Sequence, residues 1–224
     1  MAQATASLAP WFTHPRMAPK WIGLVVVGGL AIWTWTMGAW LAAGLGFLWF
    51  FPNEYGVHRW VYHRYAVGPD PPGPARSHIR HHLDPTDLDY IFNDPRFSVT
   101  IGVVYLFAAW GLLAAVGVAG ALAFGLAAAF SFGNFLALAY YEYVHFIAHR
   151  PGVQPWIPLG KALKRMHLWH HYKNEHHWFG VTTRVFDHGF GSYRDPAKVA
   201  QSPSVRTLRP PAEHEEAMGP AGAP

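Results

Sequence analysis

Residues 21–51 (WIGLVVVGGLAIWTWTMGAWLAAGLGFLWFF) carry no charged side chain, and neither do residues 98–140. In a bilayer every backbone N–H and C=O must be satisfied within the protein, so runs of this kind fold as helices. Each is too long for one span of about 20 residues. The first run reads as two helices, at about 18–35 and 39–64, turning at Thr36-Met37-Gly38. A single tilted helix is the alternative. The second reads as helices at about 98–116 and 121–149, with Gly117 and Gly120 marking the turn. Composition agrees: 51% of residues are hydrophobic and 13% charged, against roughly 25% charged in soluble domains.

The basic residues lie before the first run, between the two runs, or after the second, and neither hairpin tip has a Lys or Arg. By the positive-inside rule all three basic regions face the cytoplasm. The expected fold is thus an all-α membrane protein with four transmembrane helices in two hairpins and a cytoplasmic helical cap. No cleavable signal peptide is expected, since the first 20 residues are polar and Pro-rich. Residues 1–17 read as an N-terminal cytoplasmic segment, 18–195 as the membrane domain, and 196–224 as a disordered tail rich in Pro, Ala and Glu. With no cysteine, disulfides and thiolate metal sites are excluded. The net charge of +4 is read as a preference for a membrane surface rather than for nucleic acid.

Ten of the fifteen histidines stand in four clusters just past an apolar run or in a loop beside one. They are His58 and His63 (HRWVYH), His78, His81 and His82 (HIRHH), His145 and His149 (HFIAH), and His167, His170 and His171 (HLWHH). Neutral imidazole is a common nitrogen ligand for transition metals, and ten exceed what one ion takes. The spacing predicts a dimetal site. On a helix, residues i and i+4 share a face, so His145 and His149 can point at one centre. In each HxxHH the first histidine shares a face with the next two. His58 and His63 are five apart, about 140° on a regular α-helix. They would serve different metals, or the helix would loosen between them. Carboxylates placed to orient the histidines are Glu54, Asp84, Asp87, Glu142 and Asp187, each with helix capping or solvation as the alternative. His176 and His177 are possible additional ligands or pocket residues. His14, His188 and His214 are isolated.

The stretches VHRWVYHR, SHIRHHLDPTDLDYIFNDPR, YYEYVHFIAHRP, LKRMHLWHHYKNEHHWFGVTTRVFD and FGSY resemble the fatty acid hydroxylase superfamily, also called the sterol desaturase family. The likeness covers about residues 50–195 and is greatest to the membrane domain of fatty acid 2-hydroxylases. It carries the family's ligand positions onto the same ten histidines. It implies a membrane-bound non-haem oxygenase holding two iron ions, with O2 as co-substrate, that attacks an unactivated C–H bond of a lipid. A nitrogen-rich site generally holds zinc more tightly than Fe(II), so a purified sample could contain zinc. Two departures stand out. The His-Pro-Gly-Gly motif of a b-type cytochrome domain is absent, which implies a separate electron-transfer protein, with Lys161, Lys164 and Arg165 as a basic dock or a solvated face. NDPRF also replaces the family's paired prolines.

The expected substrate is a fatty acyl chain taken from the bilayer, the expected location a bacterial inner membrane. The alternative within the family is a sterol, carotenoid or other isoprenoid hydroxylase or desaturase. A metal transporter is the distant alternative. It is disfavoured because transporter ligands sit near the bilayer midplane, and residues 21–51 and 98–140 contain no His, Asp or Glu.

Overall fold

The computed structural model describes residues 7–34, 38–66, 70–118, 120–153 and 155–208. Among these the protein is helical, with no strand. The order is α1 (Ala9–Thr13), α2 (Ala18–Trp33), α3 (Ala39–Gly56), a π-helical segment (Val57–His63), a 3-10 turn (Arg64–Ala66), α4 (Gly73–Leu83) and α5 (Leu88–Ile91). Then come α6 (Pro95–Ala115), α7 (Gly120–Ala148), α8 (Gly160–Tyr172), α9 (Val185–Gly189) and a 3-10 turn at Pro196–Lys198. The chain divides into two compact units.

One unit comprises residues 7–53 and 92–143 and holds the apolar helices. Among the described residues, two helical stretches are long and apolar enough to cross a membrane, Leu88–Ala115 and Gly120–Ala148. The expected α2 span is apolar but has 16 residues, about 24 Å at 1.5 Å per residue, against about 30 Å of hydrocarbon. The turn between α6 and α7 falls where expected, with Gly117 and Gly120 both at positive φ. Of the other expected turn, Thr36 and Met37 lie outside the described residues, while Gly38 has φ 94°. In lipid, helix association depends on close packing of small residues, and α3 and α7 meet in this way. A Cβ on Gly46 would fall 1.9 Å from the Phe130 carbonyl oxygen, and one on Gly133 1.8 Å from that of Ala43. The N-terminal segment packs into this unit: Trp11 lies edge-on to Trp21 and Tyr143.

The other unit includes residues 54–91 and 144–208 among those described, and contains every clustered histidine. Here the expected helix at 39–64 is not uniform, because α3 loosens after Gly56 into seven π-helical residues. The chain also stays packed past residue 195, where composition suggested a disordered tail. Ser202, Val205 and Leu208 are buried. Their apolar and hydroxyl side chains find partners in a sequence otherwise short of periodicity. The rest of that tail, residues 209–224, lies outside the described residues.

Candidate metal centre

The ten histidines gather into two groups of five. Cluster one is His58, His63, His78, His82 and His170; cluster two is His81, His145, His149, His167 and His171. Within each, one nitrogen per residue lies within 4.8 Å of the others. Cluster two is buried throughout, while His63 in cluster one is partly open. The clusters adjoin: the His82 ring stacks on that of His171 with centroids 4.1 Å apart.

Local geometry explains the sorting. α4 sends His78 and His82, at i and i+4, to cluster one and His81, at i+3, to cluster two. α8 does the reverse: His167 and His171 join cluster two and His170 joins cluster one. Each HxxHH therefore straddles both clusters, using the angular step between i+3 and i+4. The end of α7 adds His145 and His149 to cluster two. The π-helical segment adds His58 and His63 to cluster one, their Nε2 atoms 3.3 Å apart. A π-helix bonds i to i+5, so residues five apart stack on one face. Of the two arrangements left open for this pair, the loosened helix is the one present.

Tautomers follow from the hydrogen bonds. A neutral imidazole has one N–H, and a carbonyl can only accept. His58 Nδ1 donates to Phe179 O (2.5 Å), His82 to Val205 O (2.9 Å), His145 to Ile91 O (2.7 Å) and His170 to His177 O (2.8 Å). Each of these four rings thus presents its Nε2 lone pair to its cluster. In cluster one, Nε2 of His58, His63, His78 and His170 approach one another at 3.1–3.3 Å. Two of those four, His58 and His170, have spent their N–H on a carbonyl, so at least two of the four Nε2 atoms carry lone pairs. Cluster two brings His145 to His81 (2.9 Å) and His149 to His167 (2.8 Å), again Nε2 to Nε2. Nitrogens about 2.0–2.2 Å from a shared ion stand roughly 3 Å apart. Both ring nitrogens of His171 and Nε2 of His82 are buried without a protein partner, an arrangement that costs about 1–3 kcal/mol per group. The donor set fits transition-metal ions.

Electrostatics point the same way. Burial holds the imidazoles of His78, His81, His167, His170 and His171 well below their ordinary range, and neighbouring rings add to the effect. Burial takes His82 down to about 3, against the opposing hydrogen bond to Val205. Rings that are neutral at pH 7 have the lone pair a ligand needs.

The carboxylates sit elsewhere than expected. Glu54 accepts from the amides of Val181 (2.6 Å) and Thr182 (3.1 Å) and from the Thr182 hydroxyl. Asp187 accepts from the amides of Phe179 and Gly180 (both 2.8 Å) and from Ser192 Oγ (2.7 Å). Burial raises the Asp187 carboxyl, and these three donors oppose the rise. Both residues therefore shape the loop at 179–182, whose Phe179 carbonyl meets His58, one step removed from the ring. That loop leaves no room for a side chain at Gly180, where a Cβ would fall 2.0 Å from Thr183 O. Glu142, in the other unit, is buried and ion-paired with Lys20, since a buried carboxylate needs a counter-charge. Asp84 and Asp87 cap turns, accepting from Thr86 N and Asp89 N. His176 is 70% exposed on its side chain. His177 contributes its carbonyl, not its ring, and both lie outside the clusters.

Two features carried no sequence signal. The orienting groups are backbone carbonyls, which any residue supplies. Lys164, expected on a basic face with Lys161 and Arg165, instead donates to the carbonyls of Ile147 (2.8 Å), Arg150 (2.7 Å) and Val153 (2.8 Å). It caps the end of α7 that holds His145 and His149, while Lys161 and Arg165 stay exposed.

Residues 43–192 match a family model described as fatty acid hydroxylase. The chain is 30% identical over 151 residues to ceramide very long chain fatty acid hydroxylase SCS7 of Saccharomyces cerevisiae, covering 64% of this chain and 35% of that protein. It is 27% identical over 179 residues to dihydroceramide fatty acyl 2-hydroxylase FAH1 of Arabidopsis thaliana, covering 75% and 60%. It thus spans about a third of the yeast relative's length and three-fifths of the plant one's. The solved structure of full-length Scs7p, with only its hydroxylase domain visible, shares the fold: TM-score 0.65 at 24% identity, over 86% of this chain and 72% of that one.

Proposed function

This chain belongs to the fatty acid hydroxylase family, and on that premise we propose that it is a membrane-bound di-iron oxygenase that hydroxylates the acyl chain of a lipid. The observation carrying this reading is the pair of five-histidine clusters sharing α4 and α8, with Nε2 lone pairs turned inward. His58, His63, His78, His82 and His170 would hold one iron, and His81, His145, His149, His167 and His171 the other. The two irons would supply the redox chemistry by which O2, two electrons and two protons convert a C–H bond into an alcohol, with release of water.

The chain's own contribution is to fix the tautomers of His58, His82, His145 and His170 through backbone carbonyls and to bury most of the clustered rings, which keeps bulk water from the reaction. The relatives named for acylated sphingoid lipids favour a fatty acyl substrate. An apolar cavity of about 720 Å³ among α3, α6 and α7, lined by residues such as Leu41, Leu45, Trp49, Leu112 and Phe130, suits a hydrocarbon chain and falls within the size range of ligand sites. The four apolar helices would form two membrane hairpins, with the histidines on the cytoplasmic side, in a bacterial inner membrane. The distribution of Lys and Arg supports this orientation. A separate redox protein would deliver electrons, with exposed Lys161 and Arg165 as basic contacts.

The test is to express the chain in an iron-supplied host and compare total lipids by mass spectrometry with the His170→Ala variant. One added oxygen on an acyl chain, lost in the variant, is expected. Added oxygen or loss of two hydrogens on a supplied sterol or carotenoid, without acyl change, would overturn the acyl assignment.

A further inference from the structure

Residues 196–208 lie beyond the segment that matches the family, which ends at residue 192, yet one of them orients a clustered histidine. Val205 O accepts from Nδ1 of His82 at 2.9 Å. The other three carbonyls that fix tautomers, those of Ile91, His177 and Phe179, all fall inside the matching segment. A carbonyl is only as well placed as the backbone carrying it, and this backbone is tied down along its length. Ser202 N donates to Lys173 O at 2.8 Å, and Gln201 Nε2 to Tyr172 O at 2.8 Å. The Arg206 guanidinium donates to Leu83 O, next to His82. The buried anchor is Glu175, 2% exposed, whose Oε1 accepts from Ser202 Oγ (2.9 Å) and Ser204 Oγ (2.5 Å).

We propose that residues 196–208 form a strap that completes cluster one by setting the tautomer and rotation of His82, and that Glu175 is the positioning residue that holds it there. This rests on reading the clusters as metal sites. Without Val205 O, the His82 N–H can move to Nε2 and turn the ring's lone pair away from the cluster. Loss of a group that orients a ligand typically weakens metal binding about 10–100-fold. Cluster two takes no orienting group from the strap, so its ion stays.

The experiment is a Co(II) titration of the full chain in detergent, with metal per chain by mass spectrometry and site occupancy by the visible cobalt spectrum. The comparison set is a chain ending at residue 208, a chain ending at residue 195, Glu175→Ala and Glu175→Gln. Two ions per chain are expected for the wild type and the chain ending at 208. The chain ending at 195 should hold one ion tightly. Glu175→Ala should bind the second about 10–100-fold more weakly, and Glu175→Gln, which keeps an acceptor oxygen, should restore it. Two tight ions in both the shortened chain and Glu175→Ala would overturn the strap. So would loss of both ions together, which would indicate general unfolding. A wild-type chain binding no cobalt would overturn the metal reading itself, and the strap with it.

Discussion

Asp187→Ala tests whether a buried carboxylate governs the histidine site through the backbone. Its carboxylate is fully buried and accepts from Phe179 N, Gly180 N and Ser192 Oγ at 2.7–2.8 Å. Ser192 also has the Tyr55 hydroxyl within 2.8 Å and can turn to it. The two amides would face a methyl group. Stranding each costs about 1–3 kcal/mol, and a bond to a charged partner is worth about 1.5–3 kcal/mol. Removing the buried charge offsets part of this, which leaves a net loss of about 3–5 kcal/mol, as for other broken buried networks. For a chain of this length that is a fall in melting temperature of roughly 10 °C. The loop would also carry Phe179 O away from His58 Nδ1, now at 2.5 Å, so affinity at cluster one should drop about tenfold or more. Thermal unfolding by circular dichroism, with and without bound metal, reads both effects. Asp187→Asn, which keeps one acceptor oxygen, should fall between wild type and Asp187→Ala. A melting temperature within 2 °C of wild type, with unchanged metal affinity, would refute the reasoning and show that the loop holds its own shape.

Lys164→Met removes an ammonium that satisfies three carbonyls at the end of α7. It should cost about 2 kcal/mol, because the group is part-exposed, and weaken cluster two while sparing cluster one in the same cobalt titration. Stability of the metal-free protein should fall with pH. Histidines held well below their ordinary value stay neutral in the fold while the unfolded chain takes up protons below about pH 6.5, so unfolding gains as pH drops. Each such ring contributes up to about 1.4 kcal/mol per pH unit in that range. Melting temperatures from pH 7.5 to 5 should decline steeply without metal, and a bound ion should raise them throughout without removing the decline. A flat profile without metal would refute the neutral-ring account.

All ten clustered histidines were legible in the chain, because i, i+3 and i+4 spacing is a property of the helix and imidazole is a property of the residue. The long apolar runs were legible for a similar reason: hydrocarbon length and backbone hydrogen bonding set what a span needs. The division of the histidines was not legible. Which ring of each HxxHH joins which cluster depends on how α4 and α8 are rotated against their neighbours. The pairing of His58 with His63 depends on a π-helical segment that spacing alone allowed but did not require. The carboxylates show the same limit. Glu54, Glu142 and Asp187 stand near histidines in sequence, yet their partners are the Val181 and Thr182 amides, Lys20, and the Phe179 and Gly180 amides. A buried charge goes to whichever donors tertiary packing brings within reach. The strap at 196–208 left no trace in composition, since its contribution is a carbonyl that any residue possesses. What chemistry the side chains offer was determined by the sequence alone; which cluster each ring joins was decided by how the helices are rotated, and which nitrogen faces inward by backbone carbonyls, both of which only the folded chain brings into place.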